Sequence, residues 1–303
     1  MNACQYFNLA SFDIHEHYAH HAALPREISV TASASGRPLA LRLDDVGAST
    51  KRYEVYSKRS LRMGPLSISG NWLFLKYLPG IKAWGPYREL SVKEWLLIFD
   101  VLSTSSAVLT VAVTAAWADD KDVLIPFPER FPAQAAVLKE AVDAQLVEIA
   151  NHGLTHCVLE DNKFKPRLWS SNRVYHREFW DWIPPETQER HLRQSQDILQ
   201  EYFQVPIVTF VPPGNVFAPV TVEIANRHGL RYISCNTEPR RQDEMVIVGD
   251  VGVFAFHDRD IVYGGPTWLR KRISDHSGAA FCFVRDLADR VNQIGQMEHQ
   301  GKE

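Results

Sequence analysis

The sequence predicts an α/β protein with a mostly parallel sheet, either open or closed into a barrel. Apolar runs of strand length alternate with amphipathic helical stretches through most of the 303 residues. The apolar fraction of 45% is ordinary for a globular protein and permits a large core. The length fits one (β/α) barrel or two smaller domains.

The first predicted elements run from a turn into a buried strand and then a capped helix. Pro38 opens a strand over 39–43. Residues 53–87 are rich in aromatic residues, Gly and Pro, which favours a long irregular loop. Ser91 is the expected N-cap of a helix over 91–102, with Glu94 completing a capping box.

Apolar periodicity predicts the remaining elements in chain order. They are a strand at 107–113, a helix at 131–144, a strand from Leu146, a helix at 185–203, a strand at 205–211, a helix at 219–228, short strands at 230–234, 246–248 and 252–256, and a closing helix at 281–297.

Charge and cysteine usage exclude several classes of protein. The formal net charge is -3 and there is no long basic run, which argues against nucleic acid as a partner. The four cysteines are widely spaced without a CxxC pair, as expected for free thiols in a reducing compartment. Cys157 follows His156 directly, and a small buried side chain is favoured there over a metal ligand.

The N-terminal residues lack the features of a targeting segment. They show no basic start followed by an apolar run, and no stretch reaches the roughly 18 apolar residues that span a bilayer. We expect a cytoplasmic protein, with peripheral attachment to the inner face of a membrane left open. His15, His17, His20 and His21 lie in this region, and a surface segment is favoured there over a second metal site.

Polar groups follow two of the predicted strands and suggest a metal site. The run LVEIANHGLTH carries His152 and His156, two imidazoles that can share one ion. Asp44 and Asp45 end the strand at 39–43, and a carboxylate is a common third zinc ligand. The hypothesis is a site of Asp45, His152 and His156 with Asp44 beside it as a base. A chance histidine pair is the alternative, since the chain holds 12 histidines.

Aromatic residues in the long loop are candidates for a substrate wall. Trp72, Trp84 and Tyr87 can stack on sugar rings or pack against a lipid. Filling the core is an equally good interpretation of these three side chains.

Four strand ends in this order resemble the polysaccharide deacetylase superfamily, the NodB-homology or family-four carbohydrate esterases. The TFDDG-like first motif corresponds to RLDDVG, and the second, E-I-x-N followed by H-S/T-x-x-H, corresponds to EIANHGLTH. The third, R-x-P-Y-G, is similar to FVPPGN, and the last, a strand ending in L-x-x-H, is similar to VFAFHD. The resemblance implies a distorted (β/α) barrel of about seven strands with long aromatic-rich loops.

The resemblance also implies a domain plan. It predicts one domain over 1–303, with a core of about 38–262, an N-terminal extension at 1–37 and a C-terminal helical segment at 263–303.

The resemblance further implies a role for each motif residue. Asp45, His152 and His156 would hold a divalent metal, most often zinc. Asp44 would be the general base and His257 the general acid toward the leaving amine. Pro213, Gly214 and Asn215 would bind the substrate, and a backbone N–H near Gly214 would stabilise the oxyanion.

Two departures from the family pattern suggest a divergent member. Val211 stands where the family has the arginine that orients the catalytic carboxylate, and Gly153 replaces a Ser or Thr. Arg42 lies two residues before Asp44 and therefore faces the same side of the strand. We expect Arg42 to supply the missing charge.

These motifs predict a metal-dependent hydrolase that removes an N-acetyl or similar N-acyl group from an amino sugar. A glycan or small molecule of surface polysaccharide or glycolipid biosynthesis is the expected substrate. The alternatives are hydrolysis of a non-sugar amide and a glycan-binding protein of the same fold without turnover.

Overall fold

A curved sheet and the helices that connect its strands position every candidate residue. The computed structural model describes residues 36–119, 121, 123–157, 177–242, 244–249 and 251–289. The strands are β1 (Arg37–Val46), β2 (Ser60–Met63), β3 (Leu66–Ser69), β4 (Leu109–Val113), β5 (Ala116–Ala118), β6 (Leu124–Pro126), β7 (Val147–Asn151), β8 (Thr209–Phe210), β9 (Tyr232–Ser234), β10 (Arg240–Gln242), β11 (Met245–Val248), β12 (Val253–His257) and β13 (Ala279–Cys282).

Helices connect many of these strands along the chain. The α-helices are α1 (Val92–Thr104), α2 (Phe127–Arg130), α3 (Pro132–Asp143), α4 (Pro185–Phe203), α5 (Pro219–Arg227), α6 (Asp258–Gly264) and α7 (Pro266–Asp275), with short 3-10 helices at Ser49–Arg52, Leu73–Tyr77 and Pro213–Asn215. None of the helices in the described part of the chain is long and apolar enough to span a bilayer.

The main sheet is almost entirely parallel. Its order is β10-β11-β9-β8-β7-β4-β1-β12, with β13 also pairing with β1. Only β10 runs antiparallel to its neighbour β11. The predicted α/β class is therefore confirmed. Parallel strands place their C-terminal ends at one edge, which is where binding sites form in such sheets.

The sheet curls so that distant strands face one another across its interior. Arg42 on β1 donates to the Ser234 hydroxyl on β9 over 2.8 Å, although three strands lie between them in the sheet. Ala40, Val248 and Cys282 belong to one buried cluster that joins β1, β11 and β13. Among the described residues, no backbone pairing joins β12 to β10. The sheet is thus barrel-like in curvature without being closed.

The largest part of the core lies between the sheet and its helices. Trp95, Ile98, Phe99 and Leu102 recur at helical spacing on α1 and are all buried against the sheet. Each fully buried side chain of this size contributes roughly 1.5–3 kcal/mol to stability.

Several predicted elements have different bounds in the structure. The strand expected at 205–211 is limited to the two residues of β8, and the loop at 53–87 contains the β2–β3 hairpin and a 3-10 helix. The closing helix was predicted to begin at residue 281, and this predicted start was wrong. There Ala279–Cys282 forms β13, which pairs with the first residues of β1, where β12 provides no partner. The four N-terminal histidines lie outside the described residues.

The predicted capping box at the start of α1 is confirmed. The Ser91 hydroxyl accepts from the Glu94 N–H, and the Glu94 carboxylate accepts from the Ser91 N–H at 2.8 Å. Arg88 adds two hydrogen bonds of 2.7 and 2.9 Å to the same carboxylate. Partial burial raises the pKa of Glu94, but the hydrogen bonds from Arg88 and Ser91 outweigh it and lower this pKa to about 2.

We expect Glu94→Gln to lower the free energy of unfolding at pH 7 by about 1 kcal/mol. The folded-state pKa is below the unfolded one, so this stabilisation is complete above about pH 4.5 and is lost as the pH falls toward 2. Urea denaturation at pH 7 and pH 3 measures the difference. Glu140→Gln, at an exposed position of α3, is the matched control. An equal loss in both variants would contradict the role of the capping carboxylate.

Candidate metal centre

Three buried side chains meet at the C-terminal edge of the sheet. The Asp45 Oδ1 atom lies 3.3 Å from His152 Nε2 and 3.1 Å from His156 Nε2. The potential ligand atoms of the three residues all lie within 4.8 Å of one another. Asp45 comes from the end of β1, and His152 follows β7 directly. The structure thus brings together the three residues predicted as metal ligands.

The chemistry of this donor set fits a divalent metal such as zinc. His152 Nδ1 lies 2.7 Å from the Val211 carbonyl, which only accepts, so Nδ1 carries the proton and Nε2 keeps its lone pair. The Thr50 hydroxyl lies 3.3 Å from His156 Nδ1. Such outer contacts orient imidazoles for metal binding and are typical of zinc sites with two histidines and a carboxylate.

Unusual backbone conformations place these ligands. Asp45 has φ 71°, and the pairing of β1 with β4 shifts between Leu43 and Val46. This irregularity breaks the strict alternation of side chains on β1. His156 also adopts a left-handed conformation, with φ 60°. Such conformations cost energy in non-glycine residues and are found mainly where function requires them.

The Asp45 carboxylate is surrounded by donors. Burial raises the pKa of Asp45, but His257 and the hydrogen bonds with His152 and His156 outweigh it and hold this pKa well below its usual value. Arg259 Nη1 and the Tyr87 hydroxyl lie 3.3 and 3.4 Å from Asp45 Oδ2. Asp45 is therefore an anion at neutral pH, as a metal ligand must be.

Arg42 neutralises the neighbouring carboxylate. Its Nε and Nη2 atoms donate to the two oxygens of Asp44 over 2.9 and 2.8 Å, and both side chains are buried. Two parallel bonds of this kind fix the carboxylate in position. The structure therefore places Arg42 in the contact that the sequence led us to expect.

His257 reaches the centre from the strand next to β1. Asp44 and His257 are partners in the β1–β12 register, and His257 Nε2 lies 3.8 Å from Asp45 Oδ2. Arg259 donates to His257 Nδ1 over 3.0 Å, which leaves the ring proton on Nε2. The His257 side chain is 29% exposed. Its Nε2 atom therefore lies beside the centre on a ring that solvent partly reaches.

The turn after β8 packs beside the metal-binding loop. A Cβ added to Gly153 would lie 3.0 Å from Pro213, so the two segments are in close contact. Gly214 and Asn215 have left-handed φ values of 67° and 56° and are exposed. Asn215 accepts from the backbone N–H of Asn236. The oxyanion and substrate roles of this turn remain predictions.

Two of the three predicted wall residues border the centre. Tyr87 contacts Asp45, as described above, and packs edge-on against Trp84 with ring centroids 5.9 Å apart. The Arg259 guanidinium lies 4.5 Å from the Trp84 ring centroid. Trp72, by contrast, is 56% exposed, and none of its contacts within the described part of the chain reaches the centre.

Glu178 is a residue that the sequence motifs missed. Its buried carboxylate accepts hydrogen bonds from the backbone N–H groups of Leu154, Thr155 and His156 at 2.9, 3.3 and 3.0 Å. His191 Nδ1 lies 2.6 Å from the same carboxylate. Glu178 therefore holds the backbone of the loop that carries both histidine ligands. No spacing signal identifies it, because it belongs to a loop outside the motifs.

Glu178 also packs closely against position 153. A Cβ at Gly153 would lie 2.4 Å from Glu178 Oε2, and Gly153 has φ 77°, a conformation that L side chains rarely adopt. A side chain at this position would therefore require the Glu178 carboxylate to move.

A second buried network joins the loops on the other side of the centre. Lys51 Nζ lies 2.7 Å from Glu89 and contacts Asp258, the residue after His257. Burial lowers the pKa of Lys51, but the two carboxylates outweigh it and raise this pKa above its usual value. Glu89 also accepts from the Gly47 N–H at 2.9 Å. The network ties the chain after Asp45 to the strand end that carries His257.

Comparisons with known proteins support the motif-based resemblance. Residues 92–233 match the family model described as polysaccharide deacetylase. This match includes His152, His156 and the turn after β8, whereas Asp44, Asp45 and His257 lie outside it. No curated protein sequence matches the chain. The match confirms the resemblance inferred from the motifs, as that of a distant relative.

Solved structures that match the chain at low similarity come from several bacteria. A Mycobacterium smegmatis protein described as a polysaccharide deacetylase is 14% identical, with a TM-score of 0.47 over 67% of this chain and 77% of that one. A family-four pseudoenzyme from Bacillus anthracis is 14% identical, with a TM-score of 0.40 over 68% and 62% of the two chains. A Clostridium thermocellum acetyl xylan esterase, solved with cobalt, is 12% identical, with a TM-score of 0.40 over 66% and 86%.

We expect Glu178→Gln to weaken zinc binding by about ten- to a hundredfold, because an amide N–H₂ would face backbone donors in place of an acceptor. Competition with a chromophoric chelator measures the affinity. Glu189→Gln, in an exposed ion pair with Arg227, is the matched control and should bind zinc as the wild type does. Unchanged affinity in Glu178→Gln would show that the loop holds its shape without this carboxylate.

Proposed function

We propose that this chain is a distant relative of the polysaccharide deacetylase family and acts as a metal-dependent hydrolase that removes the N-acyl group from an amino sugar. The observation that supports it most is the buried Asp45–His152–His156 cluster, with Asp44 and His257 at adjacent strand ends. A carbohydrate deacetylase is the coarser assignment that the family supports. The metal and the amino-sugar amide are our proposal.

The metal would be held by Asp45, His152 and His156. When bound, a divalent ion in such a site supplies Lewis acidity, which activates water and polarises an amide carbonyl. The protonated Nδ1 of His152 leaves its Nε2 directed toward Asp45, so no rearrangement of that ring is needed for binding.

Asp44 and His257 would divide the proton transfers between them. Asp44 would take a proton from the attacking water, and Arg42 would hold that carboxylate in a fixed orientation. To donate a proton from Nε2 to the amine, which leaves poorly as an anion, His257 would first take up a proton from solvent on Nδ1, the atom that accepts from Arg259 in this structure. Backbone N–H groups of the turn at Gly214 would stabilise the charge that develops on the carbonyl oxygen.

The contact between Arg42 and Asp44 favours turnover over the alternative of a glycan-binding protein. That alternative rested on the missing arginine at Val211. Arg42 supplies a guanidinium to the same carboxylate from the preceding part of β1, and Val211 instead offers its carbonyl to His152.

The metal content of the purified protein tests the centre of this proposal. We expect about one equivalent of zinc or a similar divalent metal in the wild type, because the site offers one set of three ligands. His152→Ala should lose it. His228→Ala, on a half-buried histidine after α5, is the matched control and should retain it. Wild-type protein that takes up no zinc, cobalt or manganese would rule out the metal-dependent mechanism.

We expect Arg42→Ala to reduce acetate release from N-acetylated amino sugars by at least about tenfold with metal content unchanged, because a buried carboxylate would lose its bidentate partner. Arg42→Lys should recover part of the rate, since lysine restores charge without the planar fork. Asp44→Asn should lower the rate about a hundredfold or more. Full activity and metal binding in Arg42→Ala would show that Arg42 does not replace the family arginine.

A further inference from the structure

An unusual surface lies next to the candidate centre. Residues 58–82, here called the basic segment, contain Lys58, Arg59, Arg62, Lys76 and Lys82 and not one Asp or Glu. The whole chain, by contrast, has an excess of acidic residues and a net charge of -3. The basic segment is therefore a local cationic region on an acidic protein.

Large apolar side chains are exposed on the same segment. Leu66 is 67% exposed at the tip of the β2–β3 hairpin, and Trp72, Phe74 and Leu78 are 56%, 38% and 41% exposed around the following 3-10 helix. These four are among the nine most exposed large apolar residues of the described chain. Exposed apolar groups concentrated in this way mark an interaction surface.

The 3-10 helix at Leu73–Tyr77 turns its cation inward. Lys76 is 5% exposed, and its Nζ lies 5.4 Å from the Tyr77 ring centroid. Trp72 and Leu78, which flank this helix, are both exposed.

Exposed cations lie on the same segment as these apolar groups. Lys58, Arg59, Arg62 and Lys82 are exposed, while Lys76 is buried and does not contribute. Arg62 lies on the hairpin beside its tip, because it pairs with Ser67 one position before the Met63–Leu66 pair. Apolar side chains bordered by Lys and Arg, without carboxylates, complement the interface of an anionic bilayer.

The residues that flank the basic segment in the chain connect it to the candidate centre. Trp84 stacks on Tyr56 with ring centroids 5.4 Å apart, and their backbones form an isolated bridge that closes the base of the segment. Arg259 lies over Trp84 and contacts Asp45. A surface that docks through the basic segment would therefore lie close to the mouth of the centre.

We propose that the basic segment docks this protein on an anionic phospholipid bilayer. The exposed leucines and aromatic rings enter the interface, and the four exposed cations contact lipid phosphates. This docking, combined with the proposed function on which the inference rests, implies that the substrate is an amino sugar linked to a lipid.

Sedimentation of the full-length protein with vesicles tests the proposal. We expect at least about tenfold more binding to phosphatidylcholine vesicles containing phosphatidylglycerol than to phosphatidylcholine alone, decreasing between 0.1 and 1 M salt as charges are screened. Leu66→Ser combined with Leu78→Ser should weaken binding about tenfold or more, because less apolar surface enters the interface. Arg62→Glu should weaken it severalfold.

Two controls match these variants in exposure. Val251→Ser changes an aliphatic residue that is 75% exposed before β12, at the end of the strand opposite His257. Arg193→Glu reverses an exposed charge on α4. Both should bind vesicles as the wild type does. Each variant is used only if its thermal unfolding matches the wild type, and Arg62→Glu tests the proposal independently if the leucine variant is unstable.

Three results would overturn the proposal. One is wild-type protein that does not prefer anionic vesicles, and another is full binding by both the leucine and the Arg62 variants. The third is a wild-type dimer without lipid that the leucine variant abolishes, since a second copy would then cover the surface. Vesicle binding is measured without catalysis, so its failure leaves the proposed metal centre standing, and absence of metal leaves docking standing.

Discussion

The buried Asp45 carboxylate is the constraint on which the rest of the site depends. An anion removed from water is strongly unfavourable unless charges and hydrogen-bond donors surround it. Here His152, His156, Arg259 and Tyr87 all approach its two oxygens. These groups come from three separate parts of the chain, and Asp45 itself from a fourth, so the position of one side chain fixes the relative placement of β1, β7, β12 and the aromatic loop.

The candidate ligands are held in place by residues that are not themselves candidate ligands. Glu178 gathers three backbone N–H groups of the histidine loop, and the Val211 carbonyl fixes the ring of His152. Lys51 joins Glu89 and Asp258 on the other side. Left-handed conformations at Asp45 and His156 are tolerated because these contacts over-determine the backbone. The price of this rigidity is a set of buried polar groups that must all remain paired.

Arg42 and Asp44 form one electrostatic unit within a single strand. Two parallel bonds from a guanidinium hold a carboxylate in a fixed orientation. In this protein Arg42 reaches Asp44 from two residues away and extends to Ser234 across the curved sheet. Val211, which follows β8, packs as a buried apolar residue and offers its carbonyl to His152.

The sequence by itself determined the alternation of strands and helices, the capping box at Ser91, and the polar groups at strand ends. These features depend on local periodicity and short spacing, which the chain carries within a few residues. It also placed Arg42 on the same side of β1 as Asp44, because side chains alternate along a strand. Only the tertiary structure determined that β13 pairs with β1, that Glu178 binds the backbone of the histidine loop, and that Arg259 lies over Trp84. Those contacts join residues far apart in the chain, where burial and unpaired backbone groups, and not local pattern, select the partner.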